Sequence, residues 1–218
     1  MSVKDFRVEP CSIQDIRDFV ECWHYSKNVN GVTTTYCFRL LDGFQLIGAM
    51  IYGPTAMANA WKKYAESEAD LIELRRLCCI DDTPKNTESY FIGQTIKWLA
   101  KNTAIKTVIS YADESYGHKG TIYQATNFLN VGTTSPGRVI IYQGKRYHDK
   151  AIRTKYKGVL KPYAQRLKDA LESGDAHYEA TKGKHIYIYE LRRKQPPVLY
   201  TQVSLLDVAP DPTEQITF

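Results

Sequence analysis

The stretch that decides the fold is YCFRLLDGFQLIGAMIY, residues 36–52. Tyr36 to Leu41 and Phe44 to Tyr52 are two apolar and aromatic runs, and Asp42-Gly43 stands between them. An Asp-Gly pair in that position is a strong signal for a two-residue β-hairpin, because both turn residues need positive φ. Pro54 ends the second run, as a residue that cannot donate to a sheet ladder. Upstream, residues 3–8 read as a short strand, and Ser12 offers an N-cap with Asp15 as its capping-box partner. Ile13, Ile16, Phe19 and Val20 recur at helical spacing, which predicts a helix to about Cys22. A hairpin straight after the first helix excludes a simple doubly wound order.

Downstream of the hairpin, a short helical piece is expected around Ala56–Ala65, then a strand over Leu71 to Ile80. Asp81-Asp82-Thr83-Pro84 reads as a helix start with Pro near its first position. Phe91, Ile92, Thr95, Ile96 and Leu99 give that helix an apolar stripe. Lys106 to Ala112 is a buried strand, Thr121 to Phe128 a short helix, and Leu129–Val131 and Val139–Tyr142 are strands. One or two basic helices are expected over Ile152 to Leu171, around Pro162, and a last strand over Ile186 to Leu191. The reading is one catalytic unit over residues 1–194 and a tail with four prolines over 195–218. The fold class is α/β, in the α+β mixed sense: a central mixed sheet flanked by helices, with a basic C-terminal helical addition. This order resembles the acyl-CoA-dependent N-acetyltransferase (GNAT) fold, in which the middle strand–helix unit binds the cofactor pyrophosphate. The glycine-rich loop usual at that place is absent here.

Hydrophobic residues make up 43% and charged residues 24% of the 218-residue chain, values that exclude disorder, collagen and coiled coil. No apolar run reaches the ~20 residues of a membrane helix. The N-terminal MSVKDFRVEP lacks the apolar core of a secretory signal, so a soluble intracellular protein is expected. The net charge of +5 is uneven. Residues 138–194 hold 15 Lys+Arg against 6 Asp+Glu, a balance of +9, and the rest of the chain stands at −4. Seven of the 16 tyrosines share that basic segment. A basic, tyrosine-rich segment on a near-neutral body points to a polyanion, with a solvated surface as the alternative. The five cysteines are odd in number and include no CxxC pair, which argues against a disulfide framework or structural zinc.

Four places can carry chemistry. After strand 71–80, the helix start at Asn86, Thr87 and Ser89 offers free N–H groups and a dipole to an anion, with Arg76 approaching from the strand. It can equally be an ordinary capped helix. In SYADESYGHKGTIYQATNF, residues 110–128, Asp113 falls at the C-terminal end of a buried strand, where ligands of open sheets gather. His118, Tyr123 and Gln124 follow, so Asp, His and Tyr could converge as base, shuttle and acid. His24 and Tyr25 of WHYS either cap the first helix or join Asp113 as N and O donors suited to iron. Lys150, Arg153, Lys155, Tyr156 and Lys157 belong to a cationic track interleaved with tyrosines, suited to phosphates and bases.

Taken together, ELRRL, DDTPKNTES, SYAD…GHKGTIYQATNF, the upstream WHYS and HDKAIRTKYKG resemble the Mom proteins of Mu-like phages, in the same order over roughly residues 23–160. The resemblance implies a DNA-modifying enzyme that uses acetyl-CoA and involves iron. Such an enzyme converts the exocyclic amine of adenine to a methylcarbamoyl form that blocks restriction, in the cytoplasm of the infected host. By position, the family's functional residues fall on His24, Tyr25, Arg76, Ser89, Asp113 and Tyr123. An amine stacked inside a duplex is out of reach, so the adenine is expected to be flipped out. Two other functions fit part of the sequence: an acetyltransferase acting on a small-molecule or protein amine, and a non-catalytic DNA-binding antirestriction protein.

Overall fold

The computed structural model describes residues 2–57 and 59–191. The expected tail over 195–218, and the last residues of the basic segment, lie outside the described residues. The chain opens with β1 (Arg7–Cys11) and α1 (Ile13–Trp23), the latter started by the predicted Ser12–Asp15 capping box. β2 (Tyr36–Asp42) and β3 (Gln45–Gly53) form the hairpin, one residue later than expected: Asp42 pairs with Gln45, so the turn residues are Gly43, at φ 57°, and Phe44. Next come α2 (Trp61–Tyr64), β4 (Leu71–Cys79), α3 (Thr87–Asn102) and β5 (Thr107–Ala112). They are followed by α4 (Thr121–Gln124), β6 (Leu129–Thr133), β7 (Gly137–Tyr142) and β8 (Lys145–His148). The chain then forms β9 (Lys155–Tyr156), β10 (Val159–Leu160), α5 (Pro162–Ser173), β11 (Ala176–Thr181) and β12 (His185–Glu190).

Seven strands make the central sheet, in the order β1-β2-β3-β4-β5-β12-β6. Every pairing in it is antiparallel except β4 on β5, so the sheet is mixed, with helices on both faces as expected. Alternation along the strands sorts the core. Phe38, Leu40, Met50 and Tyr52 face α3, where they meet Phe91, Ile92, Ile96 and Leu99. Cys37, Ala49 and Ile51 face the other way, onto Ile16 and Val20 of α1. Each such buried side chain contributes roughly 1.5–3 kcal/mol of transfer free energy. The Tyr52 hydroxyl, buried under α3, is satisfied by Thr95 Oγ1 at 2.8 Å.

Several expectations change. The strand expected over residues 3–8 begins only at Arg7, after a 3-10 turn over Val3–Asp5. Pro84 is not in the first turn of α3. It lies in the preceding turn, and Asn86 caps the helix in the left-handed region at φ 73°, a conformation Asn tolerates better than most residues. The basic segment is also less helical than its composition suggested. Asp149–Arg153 is a 3-10 turn, β9 and β10 are a two-residue hairpin, and only Pro162–Ser173 is an α-helix, with Pro162 at its start. That helix packs Leu167 and Ala170 on Ile140 and Ala176 of a separate three-stranded sheet, β11-β7-β8. No helix among the described residues is long and apolar enough to cross a membrane.

Candidate active site

The site begins with a departure from regular pairing. β4 and β5 are bonded in parallel only from Leu71–Glu73 to Thr107–Ile109. Beyond that point β4 follows β3 as far as Cys79, and β5 follows β12 as far as Ala112. The two strands part like a fork, held at the crotch by Ser110 Oγ donating to the Leu74 carbonyl at 3.2 Å. A β-bulge sits on β4 at the same place: Ile51 pairs with Arg76 and Tyr52 with Leu74, leaving Arg75 as the extra residue. Bulges re-aim side chains, often beside active sites.

The fork opens into an inner cleft of about 240 Å³, lined by His24, Tyr25, Arg76, Asp113, His118 and Tyr123 among others. The residues expected from WHYS, from the ELRRL strand and from the 110–128 stretch thus meet in one place. Gly120 makes this possible. It sits at φ 77°, and a Cβ there would overlap the Tyr187 ring. Tyr187 in turn donates to the Lys119 carbonyl at 2.8 Å, pinning the loop.

The chemistry of the inner cleft follows from its hydrogen bonds. The Ser26 backbone N–H, which can only donate, reaches His24 Nδ1 at 3.1 Å, and Ser26 Oγ lies 2.8 Å from the same nitrogen. That assigns the neutral ring its proton on Nε2. Burial, then Arg76 and His118, push the His24 pKa down to about 4. Burial holds the Tyr123 hydroxyl up at about 12, with Ser110 opposing the shift, so it stays protonated. Arg76 supplies a cation. Its Nε, like that of Arg75, is buried and has no hydrogen-bond partner among the described residues. An unpaired buried donor costs ~1–3 kcal/mol, so two of them in the wall of a cleft point to a ligand acceptor.

Asp113 is the cleft's one carboxylate. It accepts from the Ser115 N–H at 3.0 Å and pairs with Lys184 at 3.1 Å. Burial raises its pKa, but Lys184 and Ser115 outweigh burial and hold it below the usual carboxylate range. The inner cleft is therefore a set of fixed donors around one ion-paired acceptor.

Of the three donors expected to hold iron, Tyr25 lines the inner cleft, while His24 and Asp113 already have partners. The acceptor nitrogen of His24 is taken by Ser26, the Asp113 oxygens are committed, and the Arg76 charge lies close enough to depress the His24 pKa. Among the described residues no group of three or more His, Cys, Asp or Glu could hold a metal.

The helix start is not brought to the cleft. Asn86, Thr87 and Ser89 line neither it nor its neighbour. Thr87 is buried, with Oγ1 donating to the Pro84 carbonyl at 2.7 Å, and Ser89 Oγ donates to the Asn86 carbonyl at 3.0 Å.

An outer cleft of about 710 Å³ adjoins the inner one and shares Tyr25, Arg76 and Asp113 with it. Its far wall belongs to the small sheet and brings Arg138, Arg146, Tyr147 and Lys182 to the opening. Of the track expected to meet nucleic acid, Lys150, Arg153, Lys155, Tyr156 and Lys157 are exposed but lie outside this lining. Sequence reading missed Arg138, Arg146, Lys182 and Tyr116, which are scattered along the chain. It also missed Glu73, a buried carboxylate at the crotch of the fork. Glu73 accepts from the Ala56 N–H at 2.7 Å, and burial pushes its pKa up against the pull of that N–H, Arg75 and Arg76. The only sequence signal for Glu73 was its place inside an apolar strand run.

A family profile described as the Mom protein family matches residues 5–205. The methylcarbamoylase Mom of Escherichia phage Mu is 30% identical over 134 residues, 60% of this chain and 55% of that protein. The chain thus spans about half the length of that relative. Among solved structures, a Bacillus subtilis acetyltransferase in complex with CoA shares 12% identity at a TM-score of 0.48, over 85% of this chain and 98% of that one. A GNAT family acetyltransferase from Elizabethkingia anophelis with acetyl-CoA bound shares 10% identity at a TM-score of 0.47, also over 85% and 98%.

Proposed function

The chain belongs to the Mom protein family, and from that premise we propose that it is an acyl-CoA-dependent enzyme of DNA. It modifies the exocyclic amine of adenine in double-stranded DNA to a methylcarbamoyl form and so protects phage DNA from restriction in the host cytoplasm. The observation that carries this reading is the fork between β4 and β5. Among the described residues it holds two buried arginine Nε atoms without partners, a protonated Tyr123 and an Nε2-protonated His24 around a single carboxylate.

Each group has a task in this reading. The acyl-CoA donor lies along the fork, with acetyl-CoA as the form used. Attack on its carbonyl carbon develops negative charge on the carbonyl oxygen. Fixed donors in a desolvated cleft stabilise that charge without reorganising, which is where most of such a rate enhancement arises. Arg76, Tyr123 and the His24 Nε2–H supply those donors. The adenine amine is a weak nucleophile. Its attack forms an N–C bond as the C–S bond breaks and CoA leaves as its thiol, which gives an N-acetyl group; the second nitrogen of the methylcarbamoyl form enters in a separate step. Once it has attacked, the amine is strongly acidic. Asp113, though held below the usual carboxylate range, is basic enough to take that proton, and Lys184 keeps it ionised beforehand. The cofactor phosphates extend beyond the cleft to the start of α3, where Asn86, Thr87 and Ser89 were expected to serve. Iron has no role in this reading.

The test is a thermal-shift titration of the protein with acetyl-CoA, with and without duplex DNA. A ligand that binds only the folded state raises Tm by mass action. The native protein is expected to gain Tm with acetyl-CoA alone, and Arg76→Ala to lose most of that gain. A response to duplex but none to acetyl-CoA would leave a non-catalytic DNA-binding protein. A response to acetyl-CoA but none to duplex would leave an acyltransferase for another amine.

A further inference from the structure

Planar groups run in an unbroken file from the opening of the outer cleft to the buried end of the inner one. The guanidinium carbon of Arg146 lies 5.7 Å from the Tyr116 ring centroid. Tyr116 lies 4.5 Å from Tyr25, tilted by 38°, and Tyr25 lies 4.2 Å from His24, tilted by 34°. His118 flanks Tyr25 at 5.3 Å. The exposure along this file is graded: Tyr116 and Tyr25 are 47% and 48% exposed, whereas His24 is 4% exposed. Two half-bare aromatic rings beside a cationic opening are poor contributors to stability and good platforms for a planar ligand.

The charge around the opening points the same way. Among the described residues, neither Arg138 nor Arg146 has a carboxylate partner, although both line the outer cleft. The two carboxylates of that cleft are already paired, Asp113 with Lys184 and Asp149 with Arg153. Arg138 rests on the Tyr178 ring at 4.0 Å, and guanidinium groups held on rings without carboxylates match a nucleotide: phosphates for the cations and a base for the rings.

Resting on the adenine-modification reading above, we propose that Tyr116, capped by Arg146, is the platform on which the extruded adenine first stacks. The file through Tyr25 then hands the base to the inner cleft, and Arg138 grips a flanking phosphate at the opening. The base is thus sorted in two stages. Stacking at Tyr116 accepts any purine or pyrimidine that leaves the helix, because every base has a π-face, and the inner cleft selects the amine. The DNA-handling residues of this protein are therefore those of the small sheet and of the Glu114–Tyr116 turn, rather than the β9–β10 hairpin.

The probe is a duplex carrying a single 2-aminopurine in place of adenine. Its fluorescence rises when the base leaves the stack, and it lacks the reactive amine. Native protein is expected to raise the signal. Tyr116→Ala should lose most of that rise and raise KM for duplex about tenfold, the weight of one stacked base, with kcat little changed. Tyr116→Phe should behave as native. Arg146→Ala, at an exposed strand position, should reproduce a smaller loss. The proposal is overturned if native protein modifies adenine and Tyr116→Ala and Arg146→Ala match it in both the fluorescence rise and KM. A native protein that neither binds duplex nor modifies adenine would overturn the functional reading itself, and this proposal with it.

Discussion

The inner and outer clefts meet at Tyr25, Arg76 and Asp113 and are built from opposite materials. The inner one is small, walled by parted strands, and filled with donors whose protons are fixed by burial and by neighbours such as Ser26 and Ser110. The outer one is three times as roomy, and its wall combines exposed cations on a small added sheet with the half-bare Tyr25 and Tyr116. The contrast separates two physical jobs. Stabilising a developing charge needs dipoles that are desolvated and do not move. Capturing a long polyanion needs solvated charges that act at a distance and tolerate any sequence.

If that division holds, changes in the two clefts should separate in kinetics. The largest effect belongs to Tyr123→Phe, which removes one hydroxyl and leaves the ring packed on Phe128 and Tyr187. Loss of one such donor should lower kcat by about 10²–10³-fold, while duplex affinity stays as in the native protein. Steady-state kinetics beside a fluorescence-anisotropy titration would check both halves. An equal loss in binding and turnover would erase the distinction between the clefts.

The next effect sharpens the inner cleft alone. His24 protonates near pH 4 in the folded protein and near 6.5 when unfolded. The unfolded chain therefore takes up the proton first on acidification. The His24 contribution is complete above pH 6.5 and is lost as pH falls toward 4, on the order of 3 kcal/mol in all. Melting temperatures across that window should fall more steeply for native protein than for His24→Gln.

The smallest effect belongs to the outer cleft. Arg138→Ala should reduce the slope of log affinity against log salt by about one and leave kcat at saturating DNA unchanged. Binding isotherms at a few salt concentrations would read this directly. A fall in kcat would bring Arg138 into the inner chemistry.

Much of the inner cleft was legible because its residues come in short runs with strong local signals. Asp42-Gly43 announced the hairpin, the α3 stripe announced its face, and the glycines of GHKG announced a loop that Gly120 requires. The outer cleft was not legible for equally physical reasons. β8 and β11 have almost no buried positions, since α5 covers only part of their sheet, so they carry no alternation to read. Arg138 and Lys182 come together only because β11 pairs back onto β7 across α5. The charge count drew attention to this segment through its densest run, Lys150 to Lys157, rather than through the sparser residues that line the cleft. The start of α3 lies outside both clefts, a placement its sequence could not show because local capping chemistry looks alike whether or not a ligand is near.

The central claim is that adenine in DNA is the acceptor. Its most direct test is nucleoside mass spectrometry of plasmid DNA from cells expressing native protein or Tyr123→Phe. The account predicts a modified deoxyadenosine of methylcarbamoyl mass in the native sample and its near absence in the variant, with the other three nucleosides unchanged. Unmodified deoxyadenosine from cells that make folded native protein, or a modification on any other nucleoside, would contradict it.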